Sequence, residues 1–147
     1  MDKEIYIYSR EGVERGIVFK GCYALISIRD PGSEKVAYRC TGGLVSVIEL
    51  AFDDADPTGG LLLPTHIALM SADDGVKIAN FVKEHLMMVD GFVIHCEAGV
   101  SRSPAIGAAI ARYLRQPEDE YWQEYQPNRY VYDRMCEALG VMSLHEV

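Results

Sequence analysis

The sequence is short of positive charge and has no long apolar segment. Its 14 Lys and Arg residues are outnumbered by 22 Asp and Glu residues, which gives a net charge of −8 at pH 7. This balance argues against non-specific binding to nucleic acid or to an anionic membrane surface, because both need a basic patch. No apolar run approaches the roughly 20 residues that a membrane-spanning helix needs. We therefore expect neither a nucleic-acid partner nor a membrane partner.

The first residues, MDKEIYIYSR, also lack the basic segment followed by an apolar stretch that is typical of a secretory signal. We therefore predict a soluble, cytoplasmic protein. Cysteine is scarce, and the scattered positions of Cys22, Cys40, Cys96 and Cys136 argue against a disulfide framework. No histidine stands at zinc-ligand spacing from a cysteine, so we expect no metal site.

Short runs rich in aromatic and β-branched residues alternate with segments of helical periodicity. Strands are predicted at 5–9, 23–28, 44–52 and 92–95, and helices behind the N-cap Ser71, over 103–114 and over 128–139. This alternation predicts an α/β fold with a central, mostly parallel mixed sheet and helices on both faces. The length of 147 residues and the absence of a composition break predict one domain over 1–147.

The segment FVIHCEAGVSRS (92–103) combines a buried strand, a polar loop and the start of a helix. Ligands of α/β sheets bind beyond the carboxyl ends of the strands. Backbone N–H groups at a helix N-terminus bind phosphate-like anions, and an arginine fork holds two oxygens at once. The residues predicted to bind such an anion are Glu97, Ala98, Gly99, Val100, Ser101 and Arg102.

The same positive environment surrounds the thiol of Cys96. Helix N-termini and nearby cations favour the thiolate form of cysteine. A thiolate held against a bound phosphate group is a nucleophile aimed at phosphorus. A lone cysteine is more often a buried structural thiol. Here, however, Gly99, Arg102 and the helix start all stand in register with Cys96.

The stretch His95-Cys96-Glu97-Ala98-Gly99-Val100-Ser101-Arg102-Ser103 resembles the phosphate-binding loop of the cysteine-dependent protein tyrosine phosphatases, and most of all that of the compact dual-specificity branch. The resemblance implies a protein tyrosine phosphatase-like fold. It also implies hydrolysis of a phosphorylated protein or another phosphomonoester through a phosphocysteine intermediate at Cys96, without a cofactor. By this likeness Arg102 clamps the phosphoryl group, Ser103 hydrogen-bonds the thiolate and helps it leave, and His95 supports the loop from behind.

The resemblance also implies an aspartate on a separate loop that protonates the leaving group. The candidate segment is LAFDDADP (50–57). Asp54 follows a strand and a second acidic residue, as the acid does in small dual-specificity enzymes. Asp53 lies four residues before Pro57, which is the spacing of the classical tyrosine-specific enzymes. We favour Asp54, with Asp53 and then Asp56 as the alternatives.

Three other functions fit parts of the pattern. A phosphatase for a non-protein phosphate ester is disfavoured because the loop carries Glu97 and no lysine. A catalytically idle phosphate-binding module usually lacks the cysteine or the arginine, and both are present. A sulfur-transfer or arsenate-reducing enzyme also uses a cysteine loop, but the His-Cys start and the Arg-Ser end favour a phosphatase. The choice between tyrosine-only and dual specificity stays open.

Overall fold

The computed structural model describes residues 2–60 and 62–146, and for Thr41 the backbone alone. The elements in chain order are β1 (Glu4–Ser9), α1 (Arg10–Arg15), β2 (Ile17–Arg29), β3 (Cys40–Ala51), α2 (Ala72–His85), β4 (Gly91–Cys96), α3 (Arg102–Tyr113), α4 (Asp119–Glu124) and α5 (Arg129–Leu139). Short 3-10 turns occur at Pro57–Gly59 and Leu144–Glu146. The domain predicted over 1–147 includes Met1, Leu61 and Val147, which lie outside the described residues.

The four strands form one sheet in the order β1-β4-β2-β3, and all the pairings between these strands are parallel. Parallel pairing brings the carboxyl ends of the strands to one edge of the sheet. Ser9 lies beside Cys96 in register, and β2 and β3 end nearby at Arg29 and Ala51. The loops that follow all four strands therefore surround Cys96.

The two faces of the sheet are covered unequally. Helices α2, α3 and α5 pack on one face, where Ile26, Phe92 and Ile94 belong to the main apolar core. On the other face, α1 contributes Val13 to a smaller cluster that includes Leu25. The predicted α/β fold with helices on both faces is confirmed. The sheet is parallel throughout its described strands, however, rather than mixed.

The sequence patterns identified the strands and the long helices but missed α1 and the first half of β2. Helix α1 is six residues long and buries only Val13, so it shows no helical periodicity. The register of β2 against β3 shifts between Val18 and Cys22, and this irregularity breaks the alternation of the strand. Helix α4 lies within the polar and aromatic segment 116–127. Within the described ranges no helix is both long and apolar enough to cross a bilayer.

Candidate active site

Cys96 lies at the centre of the edge where the four strands end. It is the last residue of β4, and its side chain is 2% exposed. The Gly99 N–H donates a hydrogen bond to the Cys96 Sγ at 3.2 Å, and the Ser103 hydroxyl lies 3.1 Å from the same atom. The loop 97–101 therefore curls around the sulfur. The Gly99 N–H of this loop and the Ser103 hydroxyl at the start of α3 can both stabilise negative charge on that atom.

Gly99 makes this curl possible. Its φ of +73° lies in the left-handed region, and a Cβ at this position would come within 2.9 Å of the Tyr8 carbonyl group and the Ser9 nitrogen. The loop thus packs directly against the end of β1. Only glycine meets both the conformational and the steric requirement.

We predict that Gly99→Ala displaces the loop and lowers phosphate affinity by about tenfold or more, because backbone atoms of β1 cannot yield to the new methyl group. Gly140→Ala is the matched control. Gly140 has a φ of +76° but no neighbour within 4 Å of a built Cβ. The Gly140→Ala variant therefore shows the effect of backbone strain without a steric clash. Calorimetric titration with phosphate, together with thermal unfolding of both variants, measures the effect. Equal phosphate affinity in Gly99→Ala and the wild type would contradict the prediction.

Arg102 is the first residue of α3 and is almost completely buried. Its Nη1 donates to the Phe52 carbonyl oxygen, just after β3, at 2.7 Å. The same nitrogen lies 2.8 Å from Asp30 Oδ1, just after β2. Its Nε is buried without a hydrogen-bond partner among the residues that the structure describes. Such a donor is costly to leave unpaired, and a phosphoryl oxygen would supply the missing acceptor.

His95 lies behind the loop and is fully buried. Its Nε2 lies 2.6 Å from the Ser27 hydroxyl, and its Nδ1 lies 3.2 Å from the Cys96 carbonyl oxygen. Burial lowers the pKa of His95, which keeps the imidazole neutral. In the tautomer that satisfies both contacts, Nδ1–H donates to the carbonyl and Nε2 accepts from Ser27. Through these two contacts His95 links Ser27 of β2 to the backbone of Cys96.

The three candidate general acids have different surroundings. Asp54 Oδ1 accepts hydrogen bonds from the Ser101 hydroxyl and from Asn128 Nδ2, both at 2.8 Å. Asp53 Oδ2 instead accepts from the Ala68 N–H at 2.7 Å. Asp56 caps the turn Pro57–Gly59. Asp54 is thus the candidate that contacts the loop 97–101. Asp53 and Asp56 instead form hydrogen bonds within the segment between β3 and α2.

The loop residues predicted to bind substrate are themselves supported by neighbouring segments. The Val100 carbonyl accepts from the Gln126 N–H, and the Ser101 carbonyl accepts from the Asn128 N–H, both at 3.0 Å. The Glu97 carboxylate is engaged outside the loop, by the Arg10 guanidinium at 3.4 Å. These contacts use the carbonyl groups of the loop and the Glu97 side chain, and they hold the loop backbone in place.

Asn128 and Asp30 are two of the residues at this site that the sequence did not predict. An asparagine before a helix is a normal N-cap, and Asn128 Oδ1 does accept from the Val131 N–H at 3.1 Å. Its second contact, to Asp54, depends on tertiary packing. Asp30 belongs to a segment, 30–35, whose composition predicts only a turn. No local signal connects it with Arg102.

Comparison with known proteins identifies the fold. No protein-family model matches the chain, and no curated protein matches it in sequence. The crystal structure of Tk-PTP in the active form superposes with a TM-score of 0.50 at 16% identity, covering 92% of this chain and 93% of that one. Human tyrosine phosphatase-like serine/threonine/tyrosine-interacting protein gives 0.47 at 19% identity, covering 82% and 75%. PTPMT1 in complex with PI(5)P gives 0.47 at 14%, covering 81% and 77%.

The similarity to Tk-PTP extends over nearly the whole of both chains. The predicted protein tyrosine phosphatase-like fold is therefore confirmed.

Proposed function

We propose that this chain, which has the fold of the tyrosine phosphatases, hydrolyses phosphoric monoesters with Cys96 as the nucleophile. The observation that carries the proposal is the loop at the end of β4. There the Cys96 sulfur receives the Gly99 N–H, and the buried guanidinium of Arg102 stands at the start of the next helix. This arrangement holds a phosphoryl group by its oxygens and presents a sulfur nucleophile to its phosphorus.

In the first step the phosphoryl oxygens accept hydrogen bonds from the loop N–H groups and from Arg102. The Cys96 thiolate attacks phosphorus, the S–P bond forms, and the ester P–O bond breaks. The leaving oxygen takes a proton from Asp54. Asp54 Oδ1 is already engaged by Ser101 and Asn128. Its Oδ2 makes no hydrogen bond to any described residue and is the oxygen that carries the proton.

In the second step a water molecule attacks the phosphocysteine. The Asp54 carboxylate takes a proton from that water, the new P–O bond forms, and the S–P bond breaks to release inorganic phosphate. The Ser103 hydroxyl, 3.1 Å from Sγ, donates to the departing thiolate and stabilises its charge. Catalysis of this kind depends on positioning and charge stabilisation, which the loop, Arg102 and Asp54 provide together.

The charges near the loop favour a phosphorylated protein as the substrate class. Asp30 and Asp54 lie beside Arg102 and Ser101 respectively, and Glu97 lies within the loop itself. Carboxylates at these places repel substrates that carry several phosphate groups. A single phosphorylated side chain on a neutral or basic peptide brings less negative charge to the site and is repelled less.

The direct test is hydrolysis of p-nitrophenyl phosphate in the presence of a chelator, at mildly acidic and at neutral pH. We expect turnover by the wild type. A folded wild type that binds phosphate or vanadate but releases no p-nitrophenol would overturn the proposal in favour of an idle phosphate-binding module.

We predict that Asp54→Asn slows hydrolysis of phenyl phosphate by about 10²–10⁴-fold. Activated esters with acidic leaving groups should be much less affected, because they need no proton. Asparagine keeps the Oδ1 acceptor for Ser101 and Asn128, so the loop contacts should persist. The measurement is the dependence of kcat on the leaving-group pKa.

Asp53→Asn is the matched control for this prediction. Asp53 is adjacent in sequence, but its carboxylate bonds the Ala68 backbone. We expect this variant to lower thermal stability without changing the leaving-group dependence. If Asp53→Asn, rather than Asp54→Asn, showed the steeper dependence, Asp54 would be the wrong acid.

A further inference from the structure

The guanidinium of Arg102 is held at one nitrogen by two groups from different strand ends, one through a hydrogen bond and one through an ion pair. Nη1 meets the neutral carbonyl of Phe52 at 2.7 Å and the carboxylate of Asp30 at 2.8 Å. We propose that Asp30 is a positioning residue, which orients the Arg102 guanidinium so that its remaining donors, Nε among them, serve the bound phosphoryl group. The proposal rests on the proposed function for the identity of that ligand.

A hydrogen bond and an ion pair together at one end of a planar group constrain it more than the hydrogen bond alone does. With the Phe52 carbonyl alone, the guanidinium could turn about a single hydrogen bond. The Asp30 carboxylate adds an ion pair at the same nitrogen, and its attraction restrains that rotation of the plane. When the plane is held, the directions of the other N–H groups are held as well. These directed donors are what an arginine offers and a lysine ammonium does not.

The exposure of the two side chains suits this role. The Arg102 side chain is 5% exposed, whereas the Asp30 side chain is 51% exposed. A buried cation needs a partner to offset the loss of its hydration. Asp30 supplies that partner while keeping much of its own contact with water, so the pair avoids the larger cost of burying both charges.

The turn that carries Asp30 is braced on several sides. The Asp30 N–H donates to Glu97 Oε2 at 3.3 Å, and the Ser33 N–H and hydroxyl donate to the Asp30 carbonyl at 3.1 and 2.7 Å. Arg10 Nη2 donates to the Lys35 carbonyl at 3.1 Å. The carboxylate is thus presented by a fixed backbone, as a positioning role requires.

If Asp30 had a different role at the same contact, the predicted change in phosphate affinity would have the opposite sign. If Asp30 simply occupied the anion site in competition with phosphate, its removal would raise phosphate affinity. If Asp30 positions Arg102, its removal lowers the affinity for phosphate. It also lowers the affinity for vanadate, which imitates the five-coordinate phosphorus of the transition state, by at least as much.

The experiment compares Asp30→Ala, Asp30→Asn and Asp30→Glu with the wild type. For each protein, calorimetry gives the Kd for phosphate and vanadate, p-nitrophenyl phosphate gives kcat and KM, and thermal unfolding gives stability. We expect Asp30→Ala to lower vanadate affinity and kcat by about 10- to 100-fold, between the small effect of losing an exposed ion pair and the large effect of losing a fully buried one. Asp30→Asn keeps an acceptor without charge and should be intermediate, and Asp30→Glu should recover most of the loss.

Asp73→Asn is the matched control. Asp73 also pairs with a cation, Lys77 at 3.1 Å, but on the exposed surface of α2. We expect no change in kcat or in either Kd for this variant.

Higher phosphate affinity in Asp30→Ala would overturn the proposal, and so would a loss of stability alone with unchanged kcat and vanadate affinity. The Kd measurements also distinguish failure of the role of Asp30 from failure of the proposed hydrolase activity. A wild type that binds both anions but lacks turnover contradicts only the hydrolase, and the variants still report on Asp30. A folded wild type that binds neither anion would overturn both.

Discussion

Replacing Cys96 with serine is expected to reduce hydrolysis of p-nitrophenyl phosphate by at least about 10⁴-fold while phosphate binding persists. Serine has nearly the same shape, and its hydroxyl can keep the contacts to Gly99 and Ser103. It does not ionise near neutral pH, however, so the nucleophile is lost. Arg102 and the loop N–H groups remain in place to bind the anion. The measurements are kcat and the Kd for phosphate.

The exposed Cys22 provides the control for loss of a thiol, and Cys22→Ser should retain wild-type turnover. The other thiols are poor substitutes for Cys96. Burial raises the pKa of Cys40, and it raises the pKa of Cys136 to about 12, so both are protonated at neutral pH. Undiminished turnover by Cys96→Ser would exclude Cys96 as the nucleophile.

Replacing Arg102 with lysine is expected to lower kcat/KM by about 10²–10³-fold and to weaken vanadate binding as well. A lysine ammonium keeps the positive charge, and it can reach a single acceptor such as the Phe52 carbonyl. It cannot hold two phosphoryl oxygens in one plane, and it cannot replace Nε. The loss of anion binding should therefore distinguish this variant from Cys96→Ser, in which turnover is lost and binding is kept.

Arg129→Lys is the matched control for the Arg102 variant. Arg129 pairs with Asp133 on the surface of α5, and its side chain is 50% exposed. The exchange there should leave kcat/KM and vanadate affinity unchanged. If Arg102→Lys kept the wild-type kcat/KM and vanadate affinity, a single positive charge would be sufficient. The binding of two phosphoryl oxygens by the guanidinium would then be wrong.

The part of the site that sequence alone predicts is the part that is continuous in sequence. The strand, the loop and the helix start all lie within 91–103. Each has a local cause: the apolar run of β4, the glycine at position 99, and the small residues that follow Arg102 in α3. The fold class follows from the alternation of strands and helices. These features depend on neighbours along the chain, so their patterns are visible without the structure.

The contacts made across the sheet edge are not visible in this way. Asp53 and Asp54 are adjacent and chemically identical, and they differ only because one meets Ala68 and the other meets Ser101 and Asn128. Asp30 reaches Arg102 because β2 lies beside β4 in the sheet. Strand order is a property of the whole chain, and no local pattern in this sequence encodes it.

The most direct test of the central claim is to trap the covalent intermediate. Wild-type protein is mixed rapidly with p-nitrophenyl phosphate, quenched in acid and digested, and the peptides are analysed by mass spectrometry. We expect one phosphoryl group on the peptide that contains Cys96, formed together with a burst of p-nitrophenol and absent from Cys96→Ser. A phosphoryl group on any other residue, or steady turnover with neither burst nor adduct, would contradict it.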